Sequence, residues 1–189
     1  MLGGSTLTRR QFFVNSLVRA ALVSSAEFMS PILVASDDKD MVKVIQYSDS
    51  GERIGPIRLK KVHKTDAEWK QQLTPLQFEV TRREGTERAF TGEYFNLHDI
   101  GLYRCICCGN ALFSSETEFE SGTGWPSFWA PVAKENVRNA YDNSLGMSRT
   151  VVSCTECDGH LGHVFDDGPK PTYLRYCMNS ASLKFVKHA

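Results

Sequence analysis

Beyond residue 40 the chain first alternates apolar and polar side chains with period two. Met41-Val42-Lys43-Val44-Ile45-Gln46-Tyr47 and Ile57-Arg58-Leu59-Lys60-Lys61-Val62 both do so, with a turn signal at Asp49-Ser50-Gly51 between them. Successive strand side chains point to opposite faces, so two such runs around a turn predict a β-hairpin. The period then changes: Trp69, Leu73 and Leu76 fall at helical spacing. Thr65-Asp66-Ala67-Glu68 is a capping box, in which hydroxyl and carboxylate satisfy the orphan N–H groups of a helix start. Thr74-Pro75-Leu76-Gln77 is a second, with proline at the first helical position, where a missing N–H costs nothing. The prediction is two short helices over 66–73 and 75–82, broken between. From residue 86 onward, short apolar or aromatic runs are interrupted by Gly, Pro, Asn and Asp, the pattern of antiparallel sheets with long loops.

Composition narrows the classes. The chain has 189 residues, 41% hydrophobic and 23% charged, which excludes wholesale disorder. No run of eighteen apolar residues supplies a spanning helix, so no stable membrane association is expected. The net charge is zero and gives no basic field for nucleic acid. The balance is uneven, however. Residues 1–36 contain Arg9, Arg10 and Arg19, one acid, Glu27, and no lysine; their charge is +2, leaving −2 for the rest. The pair Arg9-Arg10 ahead of a weakly apolar stretch resembles a bacterial twin-arginine export signal. Ser24-Ser25-Ala26 offers a small-residue cleavage site and Val34-Ala35-Ser36 a later one, while Arg19 interrupts the apolar stretch. Export to the periplasm is the expectation; an organellar transit peptide and an untargeted cytoplasmic tail are the alternatives. The chain thus divides into a targeting segment (1–36), a hairpin extension (37–64) and a working domain (65–189).

Six cysteines are too sparse for a disulfide scaffold. Cys105-Ile106-Cys107-Cys108-Gly109 and Cys154-Thr155-Glu156-Cys157-Asp158-Gly159 each hold a Cys-x-x-Cys pair with a glycine close behind to allow a tight turn. Two intervening residues let both thiolates face one tetrahedral ion, and the pairs lie far apart in sequence, so one structural Zn²⁺ would tie two distant loops together. A redox dithiol is the competing reading, but it needs a helix after the first cysteine, and neither pair is followed by a helical pattern. Cys107 is the spare cysteine of this cluster.

The sixth cysteine lies in Arg175-Tyr176-Cys177-Met178-Asn179-Ser180-Ala181-Ser182-Leu183-Lys184-Phe185, which reads as one strand. Period two puts Arg175, Cys177 and Asn179 on one face. A guanidinium near a thiol favours the nucleophilic thiolate; a lone strand cysteine is more often inert packing, but polar Arg175 and Asn179 on its face point toward function. His160-Leu161-Gly162-His163-Val164-Phe165-Asp166-Asp167-Gly168 reads as a loop carrying two imidazoles able to donate protons, or two surface histidines. Gly122-Thr123-Gly124-Trp125-Pro126-Ser127-Phe128 reads as a glycine-hinged loop that presents an indole to a methyl or thioether group, or else buries it in the core.

Together, and in this order, these blocks resemble the methionine-R-sulfoxide reductases of the B type, over about Ala67 to Val186. The resemblance implies a mainly β fold, two antiparallel β-sheets with short N-terminal helices, stitched by a zinc ion on Cys105, Cys108, Cys154 and Cys157. It implies reduction of the R epimer of methionine sulfoxide in proteins and peptides, with Cys177 as nucleophile. Trp125 corresponds to the wall for the substrate methyl group, with Phe165 lining the site. His160, His163 and Asn179 form the polar side and Arg175 lies near the thiolate. The implied partners are oxidised proteins and a thioredoxin-like or other thiol reductant, and a monomer is expected. Many members of that family carry a resolving cysteine where Thr123 stands here, so an external thiol is expected to attack a Cys177 sulfenic acid directly, with Cys107 as the alternative resolver. Two other readings compete. A non-catalytic zinc module for protein binding would have no use for Cys177. A hydrolase with a second metal on His160, His163 and Asp166 would need a second ion.

Overall fold

A computed structural model describes residues 40–142 and 149–188. The targeting segment expected over 1–36 lies outside the described residues. Strands β1 (Met41–Tyr47) and β2 (Arg53–Lys60) pair antiparallel as a two-stranded sheet, the expected hairpin. β2 begins four residues earlier than the alternation suggested. Gly55 and Pro56 obscure the pattern, but β2 is an edge strand, where a residue without an N–H is tolerated. Helices α1 (Asp66–Gln72) and α2 (Pro75–Arg83) follow, and both capping boxes form as read.

Two further antiparallel sheets make up the working body. The first has the order β10-β3-β4, from β3 (Gly101–Cys105), β4 (Ala111–Ser114) and β10 (Leu183–Lys187). The second has the order β5-β9-β8-β7-β6, from β5 (Ser127–Phe128), β6 (Val137–Asp142), β7 (Arg149–Cys154), β8 (His160–Phe165) and β9 (Arg175–Met178). The fold is therefore mainly β, as expected. Two local readings are corrected. Residues 160–165 form a strand rather than a loop. The segment 175–185 is two strands in different sheets, separated by a 3-10 turn at Ser180–Ser182.

The sheets meet over rings. Phe113 stacks on Phe128 at 4.5 Å, Tyr103 meets Phe128 edge-on at 5.0 Å, and Tyr176 closes on Phe113. Buried aromatic surface of this kind dominates core stability. Asn136, fully buried, fastens the hairpin to this body. Its Oδ1 accepts the Ile45 N–H at 2.7 Å, and its Nδ2 donates to the carbonyls of Ile45 and Ala111. The Asp158 carboxylate adds ion pairs to Lys61 and Arg138. Among the described residues, no helix is long and apolar enough to cross a membrane.

Candidate active site

Strand register assembles one row of side chains across the five-stranded sheet. Cys177 is the Cα partner of Ser127 on one side and of His163 on the other, and Arg175 is the partner of Phe165. Partners across a sheet project to the same face, so Ser127, Cys177 and His163 stand side by side, with Arg175 and Phe165 two residues along. The core rings Tyr176 and Phe128 occupy the opposite face. Gly162 permits this spacing: a Cβ there would lie 2.2 Å from the Cys177 carbonyl oxygen.

The register of β8 on β7 shifts between Val152 and Ser153. His163 pairs with Val151 and His160 with Ser153. Val151 and Ser153 are two apart and share a face, so the bulge at Leu161 brings both imidazoles to the same side, where simple alternation would oppose them. Their rings meet edge-on at 5.4 Å. Of the two, His163 lines the cavity that holds Cys177, while His160 is buried behind it, facing a cavity with Glu84 and Arg138. Neither ring nitrogen of His160 has a partner among the described residues. Burial, reinforced by His163, pushes the His160 pKa down to about 4, so its ring is neutral at physiological pH.

Cys177 is half-buried, and desolvation raises its pKa above the ordinary thiol value. The Thr123 hydroxyl, the Arg175 charge and the Ser127 hydroxyl act in the opposite direction. The Thr123 hydroxyl lies 3.8 Å from the sulfur, 2.8 Å from Ser121 Oγ, and Ser121 Oγ is 2.7 Å from Ser127 Oγ. A chain of three hydroxyls therefore curls around the thiol and can turn its donors toward a thiolate. Arg175 makes a two-pronged bond to Asp167, Nε to Oδ1 and a terminal nitrogen to Oδ2, each 2.8 Å, and stacks 4.4 Å over the Phe165 ring. It is fixed as a charge near the sulfur.

Trp125, half-buried, faces the same cavity of about 150 Å³, which Thr86, Phe165 and Asn179 complete. Its indole N–H donates to the Glu87 carbonyl at 3.2 Å. Asn179 precedes the turn after β9, its Oδ1 accepting the Glu87 N–H and its Nδ2 donating to the Leu161 carbonyl, both at 3.0 Å. The Glu87 carboxylate, 4% exposed, accepts the backbone N–H groups of Ser180 and Ala181. Glu87 thus ties the indole, the amide and the strand end together, yet it had no sequence signal: Glu84-Gly85-Thr86-Glu87-Arg88 reads as an exposed polar loop. The structure brings together Cys177, Trp125, His163, Phe165 and Asn179, with Arg175 alongside and His160 one layer behind.

The other four site cysteines gather elsewhere. The sulfurs of Cys105, Cys108, Cys154 and Cys157 all lie within 4.8 Å of one another, and the pairs Cys105–Cys157 and Cys108–Cys154 are 3.6 Å apart. Tetrahedral ligation at about 2.3 Å per bond needs sulfurs about 3.8 Å apart, so the set is suited to a metal ion. Both loops turn through a left-handed residue after the second cysteine: Gly109 (φ 83°) in one and Asp158 (φ 55°) in the other. In the second loop, then, the glycine is not the turning residue. A Cβ on Gly159 would approach the Cys157 sulfur to 3.3 Å, which accounts for its small size. Cys107 is buried, with its sulfur beside Gly159 and so on the metal side of the body.

A half-buried thiol flanked by an imidazole, an arginine and an indole wall, on a β fold carrying a Cys₄ cluster, suits an oxidoreductase. The profile of the SelR domain family matches residues 73–187. The peptide methionine sulfoxide reductase MsrB of Hahella chejuensis is 58% identical over 127 residues, covering 67% of this chain and 91% of that protein. Its namesakes from Leptospira interrogans and Pseudomonas aeruginosa are 56% and 54% identical, each covered to 97%. The chain belongs to the methionine-R-sulfoxide reductase B family, and is an oxidoreductase acting on peptide methionine sulfoxide.

Proposed function

We propose that this chain reduces methionine-R-sulfoxide in oxidised proteins through a sulfenic acid on Cys177. The observation that carries the reading is the placement of Cys177 beside His163 in a cavity that fits one side chain and is walled by Trp125. The Cys177 thiolate attacks the sulfoxide sulfur while a proton passes to the sulfoxide oxygen from His163 or a water it holds. The sulfoxide S–O bond breaks and the oxygen passes to the Cys177 sulfur as the transient S–S bond cleaves, so methionine leaves reduced and Cys177 becomes a sulfenic acid. His160, being neutral, positions His163 and does not itself supply that proton. The methyl group packs on Trp125 and the oxygen turns toward the polar side. One epimer alone satisfies both, which is the basis of R selectivity.

Two electrons must then return. Thr123 cannot form a disulfide, and Cys107 sits beside the metal ligands. A thioredoxin-like or other thiol therefore attacks the sulfenic acid directly, releasing water, and a second thiol restores Cys177. The decisive experiment is mass spectrometry after one turnover without reductant. One added oxygen on Cys177 is expected, together with no R-sulfoxide reduction by Cys177→Ser. A Cys107–Cys177 disulfide would overturn the one-cysteine cycle.

The metal is zinc on this reading, because four thiolates in a tetrahedron suit an ion without redox chemistry of its own. When bound it holds the β3–β4 and β7–β8 loops together. One zinc per chain by elemental analysis, retained in Cys177→Ser, is the expected result. The biological role is repair of oxidised protein outside the cytoplasm, in keeping with Arg9-Arg10. Cell fractionation with N-terminal sequencing tests this, and an intact cytoplasmic Met1 would rule out export.

A further inference from the structure

A groove of about 500 Å³ opens beside the reactive cavity, and Trp125 lines both. One wall carries apolar side chains open to solvent, Phe95 at 37% exposed and Ile100 at 68%, with His98 and Asp99 between them. The other wall is the segment Glu116–Glu120. It runs antiparallel along β5, with Glu118 bridged to Phe128 and the Phe119 N–H bonded to the Ser127 carbonyl at 2.9 Å. Ser127 is in turn the partner of Cys177, so this wall lies one strand from the sulfur. Its charge is of one sign. Glu116, Glu118 and Glu120 line it, and among the described residues none forms an ion pair with lysine or arginine. Asp99, across the groove, is paired with Lys187. Burial, opposed by the Tyr103 hydroxyl and aided by Glu120, pushes the Glu118 pKa up to about 7, so near neutral pH it is only partly ionised and the exposed Glu116 and Glu120 carry most of the charge.

We propose that this groove holds the polypeptide flanking the oxidised methionine and favours substrates with lysine or arginine beside the sulfoxide among apolar neighbours. The inference rests on the reductase reading above. The reactive cavity has room for a single side chain, so the rest of a peptide must leave past Trp125, and the groove begins there. Apolar contact along Phe95 and Ile100 supplies area, and the exposed carboxylates of Glu116 and Glu120 supply the selectivity.

The test uses two matched peptides that carry methionine-R-sulfoxide between lysines or between glutamates, with N-acetyl-methionine-R-sulfoxide as a substrate too short to enter the groove. The native protein is expected to prefer the lysine peptide by about tenfold in kcat/KM, carried by KM, and to lose most of that preference at high salt. The double variant Glu116→Lys/Glu120→Gln, in which the glutamine keeps an acceptor for the Gly122 N–H, is expected to abolish the preference for the lysine peptide and leave the short substrate within about twofold. Equal use of both peptides by the native protein, or an unchanged preference in the double variant, would overturn the groove while the reductase reading stands. Failure to reduce any of the three sulfoxides would overturn that reading and this inference with it.

Discussion

The Thr123 hydroxyl lies 3.8 Å from the Cys177 sulfur, at the position where many relatives by resemblance place a resolving thiol. A side chain at this position thus reaches the sulfur, but threonine cannot bond to it. Thr123→Cys is expected to convert the cycle: after one turnover the product is a disulfide between the new thiol and Cys177, in place of a sulfenic acid. Reduction by thioredoxin, which favours disulfides, should accelerate several-fold. Peptide mapping by mass spectrometry reads the product. Continued accumulation of sulfenic acid in the variant would mean that the loop holds Thr123 out of bonding geometry.

The same hydroxyl bears on the ionisation of Cys177. Burial raises the thiol above its ordinary pKa of about 8.5, so the substrate-free protein carries mostly protonated thiol at neutral pH. The rate of iodoacetamide alkylation should keep climbing with pH beyond that value. Thr123→Val removes the nearest donor to the thiolate. One lost hydrogen bond of about 1 kcal/mol lowers the alkylation rate at pH 8 by about fivefold. A flat profile above neutrality would show that the thiolate is stabilised by something other than the three hydroxyls and Arg175.

Short-range signals were legible in the chain, and long-range ones were not. Both capping boxes formed because each needs only residues three apart, Thr65 with Glu68 and Thr74 with Gln77. The Cys-x-x-Cys pairs and Cys177 stood out because their chemistry is written in residue type. The break after Met178 was missed because it depends on the Glu87 carboxylate receiving the Ser180 and Ala181 N–H groups from a distant loop. The strand at His160–Phe165 was missed because Gly162 and the bulge at Leu161 spoil its alternation; the same bulge decides that the two histidines share a face.

Glu87 gives a direct test of that hidden linkage. Its buried carboxylate makes two charge-assisted bonds, and its backbone holds Asn179 and the Trp125 indole. Glu87→Ala leaves the buried Ser180 N–H and the partly buried Ala181 N–H without their acceptor and is expected to cost about 2 kcal/mol of stability, measured by urea unfolding. Glu87→Gln keeps one acceptor and should cost about half as much. At a temperature where both variants are folded, KM for sulfoxide should rise more than kcat falls, because the indole wall and not the sulfur is displaced. An unchanged KM would confine Glu87 to a purely structural role.

His160 links the buried layer of the site to pH. Its pKa of about 4 in the folded protein lies below the unfolded value of about 6.5, so the folded state binds fewer protons between those limits. The stability associated with the neutral ring is complete above pH 6.5 and is lost as pH falls toward 4. The full difference corresponds to about 3 kcal/mol by linkage. His160→Asn removes the titration while keeping a neutral polar side chain. Its stability at neutral pH should be lower, because the smaller group leaves a gap. Its further loss between neutral pH and about pH 4.5 should be smaller than that of the native protein. Thiolate protonation at the metal cluster is common to both proteins and cancels in the comparison. Parallel curves for the two across this window would place the acid-sensitive group elsewhere.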